Sequence, residues 1–315
     1  MAKIVVPLDG SDLAERALPL AMRLAQLSGS ELRLVQAAIS PASLEVGTAV
    51  EALVEAGQEY LEERAAELRA KHRIQVTVHA AIAPAVQLVL SEAAQPDVAA
   101  VVMSTHGRTG LVRLLMGSVA EGVLRESPIP VYLVPAAALA GSAERIKSIL
   151  VPLDGSALSY SVLAPVTELA RAAHAHLTLM RVFGDEEELA RAPQQPALRA
   201  AEQQIDRLED KAHGYFAPIK AHLRSMGLTV DAEWTTGVPA QEILATAQLI
   251  QPDLIALATH GRSGIQRLRY GSVAESVLRH AKAPVMTFGP EALKRLAKDV
   301  GHLADSKMAV AGSAS

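Results

Sequence analysis

Two strings in this chain combine residue types that bind anions. One runs from His106-Gly107-Arg108-Thr109-Gly110 to Gly117-Ser118, the other from His260-Gly261-Arg262-Ser263-Gly264 to Gly271-Ser272. In both, nine residues separate the outer glycines, and Ser-Val-Ala-Glu opens the apolar run that follows. Gly107 and Gly117 lack a β-carbon, so a ligand can approach backbone N–H groups closely. Ser118 and Val119 stand where a helix would begin, and the free N–H groups and dipole of a helix start favour an anion. The Ser118 hydroxyl offers a hydrogen bond and Arg108 a positive charge. Gly261, Arg262, Gly271, Ser272 and Val273 repeat the arrangement.

A second pair of strings accompanies the first. VPLDGS occupies Val6 to Ser11 and returns unchanged at Val151 to Ser156. Further pairs follow in the same order, among them Pro130-Val131 with Pro284-Val285, so the chain is one unit written twice. Asp9 and Asp154 cannot join an anion cradle, because a carboxylate repels phosphate. They suit a donor such as an exocyclic amine or a sugar hydroxyl, or a metal ion that bridges to phosphate. An acceptor at one end and an anion cradle at the other describe a nucleotide. No Gly-Lys-Ser/Thr P-loop occurs, and the loops lack the Gly-x-Gly-x-x-Gly fingerprint. Plainer readings stand beside this one. Ser118-Val119-Ala120-Glu121 and Ser272-Val273-Ala274-Glu275 also fit capping boxes, and Asp9-Gly10-Ser11 fits a strand-to-helix turn with Ser11 as N-cap. His106 and His260 have no acid or nucleophile at a useful spacing and read as loop-packing residues. His174-Ala175-His176 has no second cluster to complete a metal site.

The elements that position these residues alternate strand and helix. Lys3 to Leu8 reads as a buried strand, Asp12 to Leu27 as an amphipathic helix closed by Ser28-Gly29, and Glu31 to Ala38 as a second strand. A long helix over Val46 to Lys71, a strand over Gln75 to His79, a helix opened by Pro84, a strand over Val98 to Met103, a helix over Ser118 to Arg125 and a strand over Val131 to Val134 complete the unit. The second copy places strands near Ser148 to Val151, Leu177 to Val182, Thr229 to Glu233, Leu254 to Ala258 and Val285 to Phe288. Such alternation implies a parallel sheet with right-handed crossovers. The expected fold is α/β: two tandem doubly wound domains, each a five-stranded parallel sheet of order 3-2-1-4-5. Ligands of such sheets bind at the carboxyl ends of the strands where the order reverses, here between strands 1 and 4. The expected division is residues 1–138, a linker over 139–146, a second domain over 147–290 and a partly disordered tail over 291–315.

Composition excludes several classes. Half the residues are hydrophobic, 20% are charged and the net charge is −4, which suits a globular chain with a large core. Nothing calls for nucleic acid, and aromatics at 3% make base-stacking platforms a poor fit. No apolar run reaches the roughly 20 residues that span a bilayer. The amino terminus enters a strand directly, without a signal-peptide pattern, so a cytoplasmic location is expected. The chain has no cysteine, which excludes disulfides and thiol chemistry.

Both halves resemble the universal stress protein family. Its signature is Gly-x-x-Gly, nine residues, then Gly-Ser or Gly-Thr, with an early Asp ending the first strand. Gly107, Gly117 and Ser118 match the later part, as do Gly261, Gly271 and Ser272; Ser104 and Ala258 stand in place of the first glycine. The resemblance implies a Rossmann-like, adenine nucleotide alpha hydrolase-like fold and, by position, a nucleotide site of Pro7, Asp9, Ala37, Ser104, Gly107, Arg108, Gly117, Ser118 and Val119. The second site would comprise Pro152, Asp154, Val182, Ala258, Gly261, Arg262, Gly271, Ser272 and Val273. The implied ligand is ATP, ADP or AMP, with magnesium accompanying ATP and held mainly by its phosphates. The resemblance also implies pairing of the last strands, so that the two domains form an intramolecular pseudo-dimer; two chains could pair further, and a protein partner is unidentified. The expected role is a nucleotide-dependent stress-response regulator. The alternatives are a dimerising scaffold of the same family that binds no nucleotide, and a slow ATP hydrolase.

Overall fold

The computed structural model describes residues 1–38, 47–106, 116–136, 138, 145–183, 198–259 and 271–296. Ten strands form one sheet: β1 (Lys3–Pro7), β2 (Glu31–Ala37), β3 (Val76–Ala81), β4 (Val98–Ser104), β5 (Val131–Val134), β6 (Ser148–Pro152), β7 (His176–Phe183), β8 (Val230–Thr236), β9 (Leu254–Ala258) and β10 (Val285–Phe288). Their order is β3-β2-β1-β4-β5-β10-β9-β6-β7-β8, so each half has the expected 3-2-1-4-5 arrangement with parallel neighbours. The continuous apolar runs arise because both faces are covered. In β1, Ile4 and Val6 enter one core and Val5 the other.

The halves join through β5 and β10, which pair antiparallel with Val285 opposite Leu133, Met286 opposite Tyr132 and Thr287 opposite Val131. Both cores run without a break across this seam. Helix Leu18–Ser28 of the first half packs on helix Leu163–Ala173 of the second. Ile146, within the expected linker, is fully buried. Residues 290–296 are helical, and Ala292 and Leu293 lie in the shared core. No described helix is long and apolar enough to cross a membrane.

One expected helix is two. Asp12–Glu15 and Leu18–Ser28 are separate, as are Ala157–Ser161 and Leu163–Ala173. Pro19 and Pro165 have no N–H for the carbonyl four residues back, and their rings clash with it, so the chain breaks and restarts. Gly29, at φ 64°, ends the second of these helices in the left-handed conformation expected of a C-cap.

Candidate functional site

Asp9 and Asp154 lie just beyond β1 and β6, half-buried, each in a turn that starts a helix. The Asp9 Oδ1 accepts from the Ser11 N–H at 3.0 Å and from the Ser11 hydroxyl at 2.6 Å, and Ser11 Oγ in turn accepts from the Ala14 N–H at 3.2 Å. The second copy repeats these bonds: Asp154 Oδ1 accepts from Ser156 N at 2.9 Å and Ser156 Oγ at 2.6 Å, and Ser156 Oγ accepts from the Ser159 N–H at 3.1 Å. Gly10 and Gly155 sit between, at φ 80° and 84°, where a side chain would be strained. The strand-to-helix turn is therefore real, and it fixes where the carboxylate stands.

Across the reversal point, β4 and β9 lead toward the glycine strings. Helix Asp12–Glu15 contacts β4 and helix Ala157–Ser161 contacts β9, so the two repeated motifs of each half are neighbours at one end of the sheet. Gly107, Arg108, Gly261 and Arg262 lie outside the described residues, as does His260. The structure does describe the far end of each string. Gly117 and Gly271 are the N-caps of helices Ser118–Glu126 and Ser272–His280, with no side-chain cap at either. Ser118 and Ser272 thus occupy the first helical position rather than the cap, and the capping-box reading gives way. The N–H groups of residues 118–120 and 272–274 have no carbonyl four residues back within the helix to receive them, and in each half they face the same sheet end as that half's own aspartate, Asp9 or Asp154.

The glycines differ from expectation in one respect. The Gly117 N–H donates to the Thr105 carbonyl at 2.8 Å, and that of Gly271 to the Thr259 carbonyl at 2.9 Å. A β-carbon on Gly117 would lie 3.1 Å from the Thr105 oxygen, and one on Gly271 would lie 3.3 Å from the Thr259 oxygen. Both have ordinary extended φ and ψ. Glycine is there because backbone meets backbone, which pins the helix start to the end of β4 or β9, and its N–H serves that contact rather than a ligand.

Ser104, at the place of the family's first glycine, is 6% exposed, and its hydroxyl donates to the His106 carbonyl at 2.7 Å while accepting from the His106 N–H at 3.2 Å. Its side chain is committed to a local turn. Ala258 ends β9 and has no such hydroxyl. His106 Nδ1 lies 2.9 Å from Thr105 Oγ1, consistent with a loop-packing role, and its Nε2 is buried without a hydrogen-bond partner among the described residues. Pro7 and Pro152 end their strands half-buried; Ala37, Val182, Val119 and Val273 pack at the edge of the core on the face of the glycine-string helices. His174 is a left-handed helix end at φ 51°, and His176 Nε2 lies 3.0 Å from Asp231 Oδ2.

Residues beyond the expected set lie next to Asp9 and Asp154. The Tyr60 hydroxyl donates to Glu15 Oε1 at 2.7 Å. Burial first, then that bond and the Glu15 charge, raise the Tyr60 phenol above its ordinary value, with Asp9 adding to the effect. In the second half, the Arg181 guanidinium lies 3.9 Å from the Tyr215 ring centre and 4.8 Å from that of Phe183. Position 36 is Gln and position 181 is Arg at matching points of β2 and β7, each one residue past the partner of the strand-1 proline. Sequence spacing gave no signal for these, because the long helices that carry Tyr60 and Tyr215 vary in length between copies.

Comparison with known proteins agrees with this architecture. Residues 1–135 and 145–288 each match the Universal stress protein family. Universal stress protein MJ0531 of Methanocaldococcus jannaschii is 29% identical over 140 residues, covering 44% of this chain and 80% of its own length. Universal stress protein YxiE of Bacillus subtilis is 31% identical over 141 residues, covering 44% of this chain and 95% of its own. The crystal structure of a universal stress protein from Archaeoglobus fulgidus covers 91% of this chain and 98% of its own at a TM-score of 0.68 and 20% identity, a likeness of fold. With both halves matched, the chain belongs to the universal stress protein family in a tandem two-domain form.

Proposed function

We propose that the protein is a cytoplasmic regulator that binds an adenine nucleotide, ATP or its ADP or AMP relatives, at the crevice between strands 1 and 4 of a domain. The carrying observation is that each helix start, residues 118–120 and 272–274, has no side-chain cap among the described residues and lies at the same sheet end as its own half's aspartate turn, Asp9 or Asp154. A helix start of this kind offers N–H groups and a positive dipole end to phosphate, while the aspartate offers an acceptor to a ribose hydroxyl or base amine. Ser118, Val119, Ser272 and Val273 would hold phosphate, with Gly107, Arg108, Gly261 and Arg262 beside them. Pro7, Asp9 and Ala37, or Pro152, Asp154 and Val182, would meet the nucleoside. Magnesium would be held mainly by the phosphates. The nucleotide acts as a switch ligand: no lysine of P-loop type neutralises the terminal phosphates, so efficient hydrolysis is not proposed.

A scaffold that binds no nucleotide is the competing reading. It draws on the engagement of Asp9, Ser104 and Gly117 in the protein's own turns. One variant separates the two. Ser118→Asp with Ser272→Asp places a carboxylate at each helix start, which favours the helix by about 0.3–1 kcal/mol yet repels phosphate. Calorimetric titration with ATP and magnesium should show binding to the wild type and at least a tenfold loss in the double variant, whose melting temperature is unchanged or higher. A wild type that carries no nucleotide when denatured and shows no binding to ATP, ADP or AMP sinks the proposal in favour of the scaffold.

A further inference from the structure

The two crevices share a backbone but differ in what lies beside the aspartate turn. In the second half, the guanidinium of Arg181 lies across Gly155: its terminal nitrogens and central carbon come within 3.0 to 3.2 Å of where a β-carbon on that glycine would be. It is held there between the rings of Tyr215 at 3.9 Å and Phe183 at 4.8 Å. Tyr160 adds a third ring, 5.8 Å from Tyr215. In the first half, the matching residue is Gln36, shorter and uncharged. Its Oε1 turns to the long helix, 3.2 Å from the β-carbon position of Gly57. Glu15 replaces Tyr160 and is bound by the Tyr60 hydroxyl.

Arg181 therefore occupies the surface of the turn that a nucleoside beside Asp154 would have to cover. A guanidinium has donors only, so it cannot accept from a base amine, and over Gly155 it fills space that a nucleoside would need. It also stands by the aspartate, at the nucleoside end, rather than by the helix start where phosphate would lie. A ligand must pull it off two rings before it can dock. We propose that each chain binds one nucleotide, in the first domain, and that Arg181 closes the second crevice. The proposal rests on the nucleotide reading above and assigns that site to one half.

The test is the stoichiometry of ATP with magnesium on the full chain, read together with fluorescence. Trp234 is the only tryptophan and lies edge-on to Phe183 at 6.2 Å, so it reports on the second half. The wild type should bind one ATP, lose it in Ser118→Asp and keep it in Ser272→Asp, with no change in tryptophan emission at saturation. Arg181→Gln, which copies the first half, and Arg181→Ala should bind two, the second event shifting the emission. Two sites in the wild type overturn the proposal while the nucleotide reading stands. So does a single site that survives Ser118→Asp and is lost in Ser272→Asp, or folded Arg181 variants that still bind one. Should the Arg181 variants fail to fold, the two serine variants decide alone. No binding to any protein overturns the nucleotide reading and this proposal together.

Discussion

At the scale of single residues, the aspartates and glycines act first on their own backbone. Asp9 and Asp154 shape the turns that hold them, and Gly117 and Gly271 let two segments of main chain touch. A residue type that suits a ligand can be required by the fold, and the hydrogen-bond partners are what show the second demand. Three buried or partly buried tyrosines carry a separate signature. Burial is the leading cause that raises the phenols of Tyr60, Tyr132 and Tyr215. In the unfolded chain they ionise near pH 10; in the folded one they keep their protons to higher pH. Above about pH 10 the folded state binds more protons than the unfolded state, so stability is intact below that pH and falls as pH rises through it. Phenolate absorbance followed alongside circular dichroism should show these three ionising together with unfolding. Their free titration near pH 10 in a chain that keeps its native dichroism would refute the burial assigned to them.

Among the elements, the strands were legible because runs such as Lys3–Pro7 and Leu254–Ala258 are apolar on both faces and bounded by turns. From them the strand order followed, and with it the meeting of the repeated motifs. Helix details were less legible. The string Ser-Val-Ala-Glu looks the same whether serine caps the helix or occupies its first position, and the backbone of Gly117 at φ −61° and ψ 145° decides for the latter. The breaks before Pro19 and Pro165 were hidden within a good amphipathic pattern. The glycine strings themselves, Gly107 with Arg108 and Gly261 with Arg262, remain sequence expectations. The reassigned cap has a measurable consequence. Ser11 and Ser156 do cap their helices, so Ser11→Ala or Ser156→Ala should cost about 1 kcal/mol each in denaturant unfolding. Ser118→Ala and Ser272→Ala remove no cap and should stay within about 0.5 kcal/mol of the wild type. Equal losses at all four positions would restore the capping box.

Across the described residues the two repeated halves pair within one chain as a pseudo-dimer. Tyr132 and Met286 stand two residues beyond the repeated prolines Pro130 and Pro284, and they face each other in the β5–β10 pairing. Equivalent positions meeting each other mark a two-fold axis, as in an isologous interface. The antiparallel pairing also turns the strands of one half opposite to those of the other, so the crevices open at opposite ends of the sheet. A covalent link frees the halves to diverge, as Arg181 has from Gln36, while the seam must remain. Gly289 is where that requirement is sharpest. It follows β10 and lies against helix Ser118–Glu126 of the other half, so that a β-carbon would collide with the Leu124 carbonyl oxygen. That oxygen belongs to a helix backbone and cannot swing aside as a flexible side chain could. Gly289→Ala must then lift β10 from β5 or tilt the helix, at the roughly 1–3 kcal/mol typical of overpacking or more. Gly214→Ala is the matched control: it adds the same methyl within helix Leu198–Ser225, where nothing lies within 4 Å, and should be neutral or stabilise by about 0.5–1 kcal/mol. Calorimetric melting should give a lower and broader transition for Gly289→Ala, resolving into two as the halves uncouple, and a single transition for Gly214→Ala. If Gly289→Ala melts as one transition at the wild-type temperature, the seam does not depend on this contact and the halves are held together elsewhere.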